Sequence, residues 1–339
     1  MQLNEIWFLI VGFLFIGYFV LDGFDFGVGM SLPFLGKDDT DRRVLINTIG
    51  PVWDLNETWV LVAGASLFAA FPEWYASLFS GFYLPLLLIL AALIARGVAF
   101  EYRGKGKTIG ADEVRWKATF DWMIVVGSAL PALLWGVAFA NIVQGVPLNE
   151  QHIYTGTLFT LLNPYGLLGG LVTLTLFWTH GLMFIALKTE GDIKDRASKL
   201  GTKVGIATTV LAATFLVWTL IAHFSVLGFI LSALAAVSLI AGLVANYFKR
   251  EGIAFSLLVV TIITAVGSLF AALFPNVFPS TTDAAFSLTI ENASSSQYTL
   301  TVMTWVAVFM IPLILLYQGW TYWVFRKRIS RNSIPAGSH

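Results

Sequence analysis

The chain has 339 residues, of which 57% are hydrophobic and only 12% are charged, and its mean hydropathy is +0.79. Soluble domains carry about 25% charged residues, so this composition excludes a water-soluble enzyme and indicates an all-α, polytopic membrane protein. The formal net charge of zero argues against a nucleic-acid-binding protein, and the absence of cysteine excludes disulfides, iron–sulfur clusters and cysteine-based zinc sites.

Nine apolar segments are long enough to cross a bilayer, whose hydrocarbon core requires roughly 20 residues per helix. In chain order they are 6–31, 51–71, 77–100, 118–143, 165–187, 202–224, 225–248, 253–275 and 299–325. The first is too long for a cleaved signal peptide and lacks a basic leading region. The sixth and seventh form one long apolar stretch, in which we predict a tight hairpin between His223 and Ser225.

Lysine and arginine occur in alternate loops. They occupy the segments 34–50, 101–117 and 188–201, the pair Lys249–Arg250 and the tail after the ninth span, whereas the intervening loops contain neither residue. The positive-inside rule therefore predicts nine spans with the N-terminus outside and the C-terminus in the cytoplasm. The outside segments 144–164 and 276–298 are polar and too short to be domains. We expect one integral-membrane domain over 1–339, and no role for the terminal SIPAGSH.

Several ionisable residues fall within the predicted spans, where a charge is unfavourable and requires an explanation. Asp22 and Asp25 lie three residues apart on the first span, and Asp54 and Glu57 lie three apart on the second, so each pair shares a helix face. The predicted topology places these four residues, the acid quartet, in the cytoplasmic half of the membrane. The same side holds further ionisable residues on the third, fourth and fifth spans: Arg96, Glu101, Asp121 and His180.

Structural and functional interpretations of these residues are both open. Structural ion pairing or contact with lipid headgroups is the better interpretation for Arg96, Glu101 and Asp121. The acid quartet exceeds what one arginine can neutralise, and buried carboxylates in excess of cations tend to be protonated or to share protons. We therefore predict a proton-uptake path through the quartet. Gly23 and Gly27 are expected to allow close helix packing that keeps the first acid pair away from lipid.

Ligands for a redox cofactor are scarce. Haem takes axial His, Met, Cys or Tyr, and only three histidines precede the terminal one. His152 falls in an outside loop, and His180 and His223 lie near opposite surfaces, so they cannot form a bis-histidine pair. We interpret His180 as a hydrogen-bonded core residue. No metal site is predicted, and nucleotide-binding glycine motifs are absent from the sequence.

Several blocks of the sequence closely resemble subunit II of cytochrome bd-type quinol oxidases. The most diagnostic are LDGFDFGVGM (21–30) and GPVWDLNETW (50–59), the latter within a longer match over 42–76. Further matches are SGFYLPLLLIL (80–90), RGVAFEYRGK (96–105), LNPYGLLGG (162–170) and NASSSQYTLTVMTWVA (292–307). They follow in order along almost the whole chain.

The resemblance implies a terminal oxidase of the prokaryotic cytoplasmic membrane, in which quinol reduces O2 to water. Proton-motive force then arises without pumping, because protons for water come from the cytoplasm and quinol protons are released outside. A homologous subunit I is implied to carry two b-type haems and a d-type haem, or a third b-type haem. Subunit II is implied to bind no haem, and some relatives hold a structural quinone in it. The implied assembly is a heterodimer in lipid, with or without a small accessory single-helix subunit.

The resemblance also implies a fold and roles for individual residues. The fold is two four-helix bundles, 6–143 and 165–275, plus a peripheral ninth helix over 299–325. Asp54 matches a family acid at the subunit interface that is linked to a proton path, and Trp59 matches an aromatic near the proposed entrance of an O2 route. The first-helix acids match residues that serve proton delivery or haem-site assembly. Val52 stands where some members have histidine, so we expect no imidazole on the path there.

Two other functions are consistent with the residues alone. A standalone secondary transporter would use intramembrane carboxylates to bind a cation or a protonated substrate. However, Pro85 and Pro131, which interrupt the third and fourth spans, do not fall at matching positions of two halves. A pure scaffold would need the carboxylates only for assembly.

Overall fold

In the computed structural model, which describes residues 2–334, twelve α-helices account for most of the chain. Their bounds are α1 Leu3–Leu35, α2 Asp39–Ile49, α3 Trp53–Ala70, α4 Pro72–Gly81, α5 Tyr83–Tyr102, α6 Glu113–Gln144, α7 Leu158–Leu161, α8 Pro164–Lys188, α9 Gly191–Ala222, α10 Val226–Tyr247, α11 Glu251–Leu273 and α12 Gln297–Val324. A small antiparallel pair, β1 Asn276–Phe278 and β2 Leu288–Thr289, lies in the last long loop. The residues 335–339 of the terminal SIPAGSH lie outside the described part.

Eight helices in the described part are long and apolar enough to cross a membrane, namely α1, α5, α6 and α8 to α12. Helix α3, which covers most of the predicted second span, is not among them, because Asp54, Asn56 and Glu57 make its first two turns polar. An all-α, multi-pass architecture is therefore confirmed, while the count of nine spans stays a prediction.

Two helices differ in their bounds from the predicted apolar segments. The third span begins at Tyr83 instead of residue 77, because the preceding residues form the separate short helix α4. Helix α9 starts at Gly191, before the predicted apolar segment at 202, because its charged first turns continue the helix and make ion pairs outside that segment. With 32 residues and a rise of 1.5 Å per residue, α9 is about 48 Å long, more than a hydrocarbon core of about 30 Å. The predicted hairpin is present, between Ala222 and Val226.

Local sequence accounts for where several helices begin. The side chain of Asp112 accepts the backbone N–H groups of Val114 and Arg115 and caps α6. Asn163 caps α8 in the same way and is followed by proline at the first helical position. Ser296 caps α12. Such side chains replace the hydrogen-bond partners that the first turn of a helix lacks.

The basic loops meet at one end of the molecule, here called the basic end. Ion pairs join the segments there: Arg42 to Asp121, Lys194 to Glu251 and Arg331 to Asp38. The polar loops meet at the opposite end, here called the loop end. There His152 Nδ1 lies 2.8 Å from the carbonyl oxygen of Phe286, and Asn4 donates to the carbonyl of Ile290. Which end faces the cytoplasm remains a prediction.

Helix α1 lies at the centre of the bundle and contacts α3, α6, α8 and α11. Its closest approach is to α8, where a Cβ on Gly27 would lie 2.1 Å from the carbonyl oxygen of Phe177 and 2.7 Å from the Cα of Gly181. Only glycine permits this contact between backbones. Because α1 touches helices of both predicted bundles, no gap separates them, and the division into two bundles stays a prediction.

Helix α12, in contrast to α1, is almost wholly exposed, and only its residues Leu300 and Gln318 are buried.

Candidate functional site

The fold brings three acids of the predicted quartet around one arginine, between α1, α3 and α5. The Arg96 side chain is completely buried, and its Nη2 donates to Asp22 Oδ1 at 2.6 Å and to Glu57 Oε2 at 3.0 Å. The guanidinium also lies 4.5 Å from the ring centroid of Phe26. Asp22 is fully buried, whereas the side chain of Glu57 is 23% exposed. We call Asp22, Asp25, Glu57 and Arg96 the acid cluster.

Asp25, one turn along α1 from Asp22, is also fully buried but makes no ion pair within the described residues. Its Oδ2 accepts a hydrogen bond of 2.7 Å from the Asn56 side-chain amide. Its Oδ1 has no protein partner, and neither do Asp22 Oδ2, Arg96 Nε and Arg96 Nη1. Buried polar atoms are almost always hydrogen-bonded, to ordered water where protein offers no partner. The acid cluster therefore has three carboxyl groups, one guanidinium and unused positions for water.

A second set of polar residues links the cluster to α12, and of its members only Trp59 was singled out from the sequence. Asn56 Oδ1 accepts from the Tyr322 hydroxyl at 2.7 Å and from Gln318 Nε2 at 3.3 Å. Gln318 Oε1 in turn accepts from Trp59 Nε1 at 2.7 Å. The sequence could have indicated Asn56 and Gln318, because both are polar amides inside apolar segments. It could not predict that they form a hydrogen bond with each other, because 262 positions separate them.

Asp54 and Glu101 are not brought into the cluster. Both are exposed in this chain, and neither side chain makes an ion pair within residues 2–334. Asp54 precedes Glu57 by three residues on α3, so the two share a helix face that leads from the exposed surface to the partly exposed edge of the cluster.

Asp121 belongs to a separate ionic network at the basic end. Its carboxylate accepts from Arg103 Nε at 2.5 Å and from Arg42 Nη1 at 2.8 Å. Arg103 also pairs with Asp39, which accepts from Lys117 Nζ at 2.9 Å. Partial burial raises the pKa of Asp39, but the hydrogen bonds from Lys117 and Arg103 outweigh it and hold that pKa below its usual value. Here the cations are not outnumbered by the anions, in contrast to the acid cluster.

His180 is fully buried, and its Nε2 lies 3.1 Å from the carbonyl oxygen of Val20. Because a carbonyl can only accept, Nε2 carries the proton and is not available to a metal ion. The imidazole also stacks on the Phe255 ring, with centroids 4.7 Å apart and an interplanar angle of 5°. His180 thus packs as a core residue. No group of three or more His, Asp or Glu side chains that could hold a metal ion is found in residues 2–334.

Trp59 lies at a small cavity between α1, α3 and α12. The cavity has a volume of about 70 Å³, and its lining includes Phe13, Val62 and Ile314. The indole ring meets the Phe13 ring edge to face at 5.8 Å. An almost wholly apolar recess of this size suits a small apolar molecule.

The chain matches known proteins over nearly its whole length. The family model for cytochrome bd terminal oxidase subunit II matches residues 3–325. Cytochrome bd ubiquinol oxidase subunit 2 of Bacillus subtilis (strain 168) is 41% identical and covers 97% of both chains. Cytochrome bd-I ubiquinol oxidase subunit 2 of Escherichia coli (strain K12) is 39% identical, over 99% of this chain and 98% of its own.

A solved structure shows the same fold. A chain of the bd oxidase from Geobacillus thermodenitrificans aligns with a TM-score of 0.78 at 16% identity, over 96% of this chain and 98% of that chain. Together, the near-complete family match and the two relatives show that this chain belongs to the family of cytochrome bd terminal oxidase subunit II.

Proposed function

We propose that this chain is the haem-free subunit of a bd-type quinol:O2 oxidoreductase, which stabilises a haem-bearing subunit I and admits protons from the cytoplasm. The acid cluster carries the proposal, because Asp22, Asp25 and Glu57 share the single counter-charge of Arg96. Charge balance in a buried site favours protons on such a group. The ubiquinol oxidase relatives support quinol as the electron donor.

The proposed proton path leads inward along α3 and then onto α1. Asp54 lies exposed on α3, and Glu57 follows it on the same face with a partly exposed side chain. Glu57 and the buried Asp22 are both held by Arg96 Nη2, so one guanidinium fixes an outer and an inner carboxyl group. Asp22 and Asp25 lie one turn apart on α1. Each has one carboxylate oxygen without a protein partner, and these two oxygens offer positions for water. Carboxyl groups and water together are the components of a proton relay.

The haems belong to subunit I in this proposal: two of b type and a third of d or b type, which supply the chemistry of O2 reduction. His180, the buried histidine of this chain, donates from Nε2 to the carbonyl of Val20 and stacks on Phe255, which supports its interpretation as a hydrogen-bonded core residue. A structural quinone and an accessory single-helix subunit are not required by any residue described above. The cavity at Trp59 is the proposed point of O2 access.

Proton entry is tested by replacing Asp54 with asparagine in the assembled oxidase. We expect quinol-driven O2 consumption to fall by about a hundredfold, the lower end of typical general acid–base contributions, while haem content stays normal. Glu101→Gln is the matched control, because Glu101 is also exposed but lies on α5 and does not share a helix face with Glu57. Normal turnover of Asp54→Asn with normal assembly contradicts a proton role for Asp54.

The two competing functions predict other results. A scaffold predicts that carboxylate variants lose activity only in proportion to lost assembly. A transporter predicts substrate flux by this chain alone. Gentle purification from the native membrane, followed by a reduced-minus-oxidised visible spectrum, separates the oxidase from the transporter. A co-purifying larger subunit with b- and d-type haem bands supports the oxidase, and an intact, haem-free, unpartnered chain supports the transporter.

A further inference from the structure

Helix α12 presents apolar side chains to its surroundings and buries a glutamine. Of its 28 residues only Leu300 and Gln318 are buried, while large residues such as Leu316 and Trp320 are exposed. A polar side chain that faces inward on a membrane helix is retained for its hydrogen bonds. Gln318 uses both ends of its amide, one toward Trp59 and the other toward Asn56.

The direction of these hydrogen bonds follows from chemistry. An indole N–H can only donate, so Gln318 must present its oxygen to Trp59 and its NH2 group to Asn56. Asn56 must then present its oxygen to Gln318 and its NH2 group to Asp25 Oδ2. The Tyr322 hydroxyl donates to the same Asn56 oxygen and holds the amide in that orientation.

We propose that Trp59, Gln318 and Asn56 form a one-way hydrogen-bond chain that positions Asp25 and reserves its Oδ1 for proton exchange. Carboxamides do not ionise at physiological pH, so the chain orients Asp25 but carries no proton. Oδ2 is occupied by the Asn56 donor, whereas Oδ1 has no protein partner. Trp59, Gln318 and Asn56 are therefore positioning residues, and Gln318 links α12 to the acid cluster. This inference rests on the proton role proposed above.

A substitution of Gln318 on α12 therefore changes the hydrogen bonding of Asp25, although the two side chains are not in direct contact. The other charged or titratable groups around Asp25 are Asp22 on α1, Glu57 on α3, Arg96 on α5 and Tyr322 on α12. None of these is removed by substitution of Gln318 or Trp59, so such variants report on the amide chain itself.

The test compares Gln318→Leu, Trp59→Phe and the double variant in the complete oxidase. The measurement is the pH dependence of O2 consumption at saturating O2 and quinol, which removes any effect on O2 access. Because both single variants break the same chain, we expect each to displace the pH profile in the same direction and by a similar amount, and the double variant to displace it no further. Trp53→Phe, which removes an indole that packs on Phe100 of α5, leaves the profile unchanged.

Infrared difference spectra supply a second measurement. The Asp25 carboxyl band is assigned by its loss in Asp25→Asn, and it shifts in Gln318→Leu and Trp59→Phe but not in Trp53→Phe. If Trp59→Phe does not assemble, as judged by haem content, Gln318→Leu alone decides. Unchanged pH profiles, lower turnover without displacement, or additive displacements in the double variant overturn the inference.

Asp25→Asn distinguishes a failure of the proposed proton role from a failure of the proposed amide chain. Wild-type turnover and pH profile in Asp25→Asn refute the proposed proton role of Asp25, and the inference falls with it. Impaired turnover in Asp25→Asn together with wild-type profiles in Gln318→Leu and Trp59→Phe refutes the amide chain only.

Discussion

Replacement of Arg96 by leucine tests whether the arginine is the counter-charge that lets the acid cluster stay buried. Arg96 and Asp22 both have fully buried side chains joined at 2.6 Å, so the substitution leaves an unpaired carboxylate inside the bundle. Breaking a buried ion pair in this way destabilises proteins by about 3–5 kcal/mol. The second contact, to Glu57, adds less, because that side chain is 23% exposed and solvent compensates for part of the loss.

The assay is thermal unfolding of the purified oxidase in detergent, followed by intrinsic fluorescence. At roughly 2 °C per kcal/mol, the lower value for large chains, we expect the unfolding midpoint of Arg96→Leu to fall by about 6 °C or more. Asp22→Asn combined with Arg96→Leu removes the stranded charge as well, so the double variant should recover part of the loss. Lys37→Met breaks the exposed pair with Asp192 and should leave the midpoint unchanged.

Two results would refute this reasoning. A wild-type midpoint in Arg96→Leu would mean that the cluster does not need the guanidinium charge. A double variant no more stable than Arg96→Leu alone would mean that the loss comes from the missing arginine packing, for example against Phe26, and not from the stranded carboxylate.

Two further predictions concern the packing of α1 and the C-terminal tail. Gly27→Ala forces apart the backbones of α1 and α8, so we expect destabilisation of about 1–3 kcal/mol. Gly64→Ala, where a Cβ meets open space inside α3, should be neutral or slightly stabilising, and equal midpoints for the two variants would contradict the contact. The hydrogen bond from the backbone N–H of Asp41, and then the Arg331 guanidinium, lower the pKa of Asp38 below its usual value. The tail anchor is therefore fully present above about pH 4 and is lost as the pH falls through the lower pKa of the folded state. The Ile329 N–H, which donates to the carbonyl of Lys188, should lose its protection from hydrogen exchange on acidification. Asp38→Asn should weaken this pH dependence, whereas Asp195→Asn should leave it intact. Equal pH dependence in both variants refutes the anchor.

The sequence was informative about the acid cluster up to a definite point. The spacing of three residues correctly put Asp22 and Asp25 on one helix face, and the glycines beside them correctly indicated close packing, which the structure shows between Gly27 and Gly181. Spacing could not show that Arg96 binds Asp22 and Glu57 while Asp25 takes an amide partner. Those choices depend on the rotation of α5 and α3 about their axes, which packing against α1 and α6 determines.

Three features were determined by the sequence alone: the lengths of the apolar segments, the alternation of basic loops and the blocks that match the family. Each of them depends on residues that are close together in the chain. The bilayer demands long apolar segments and the positive-inside rule acts on short loops, so both are legible locally. The chain of hydrogen bonds from Trp59 through Gln318 and Asn56 to Asp25 was decided only by the tertiary structure. Its members come from α3, α12 and α1, and only the packing of a nearly exposed helix brings Gln318 within reach of residues more than 250 positions away.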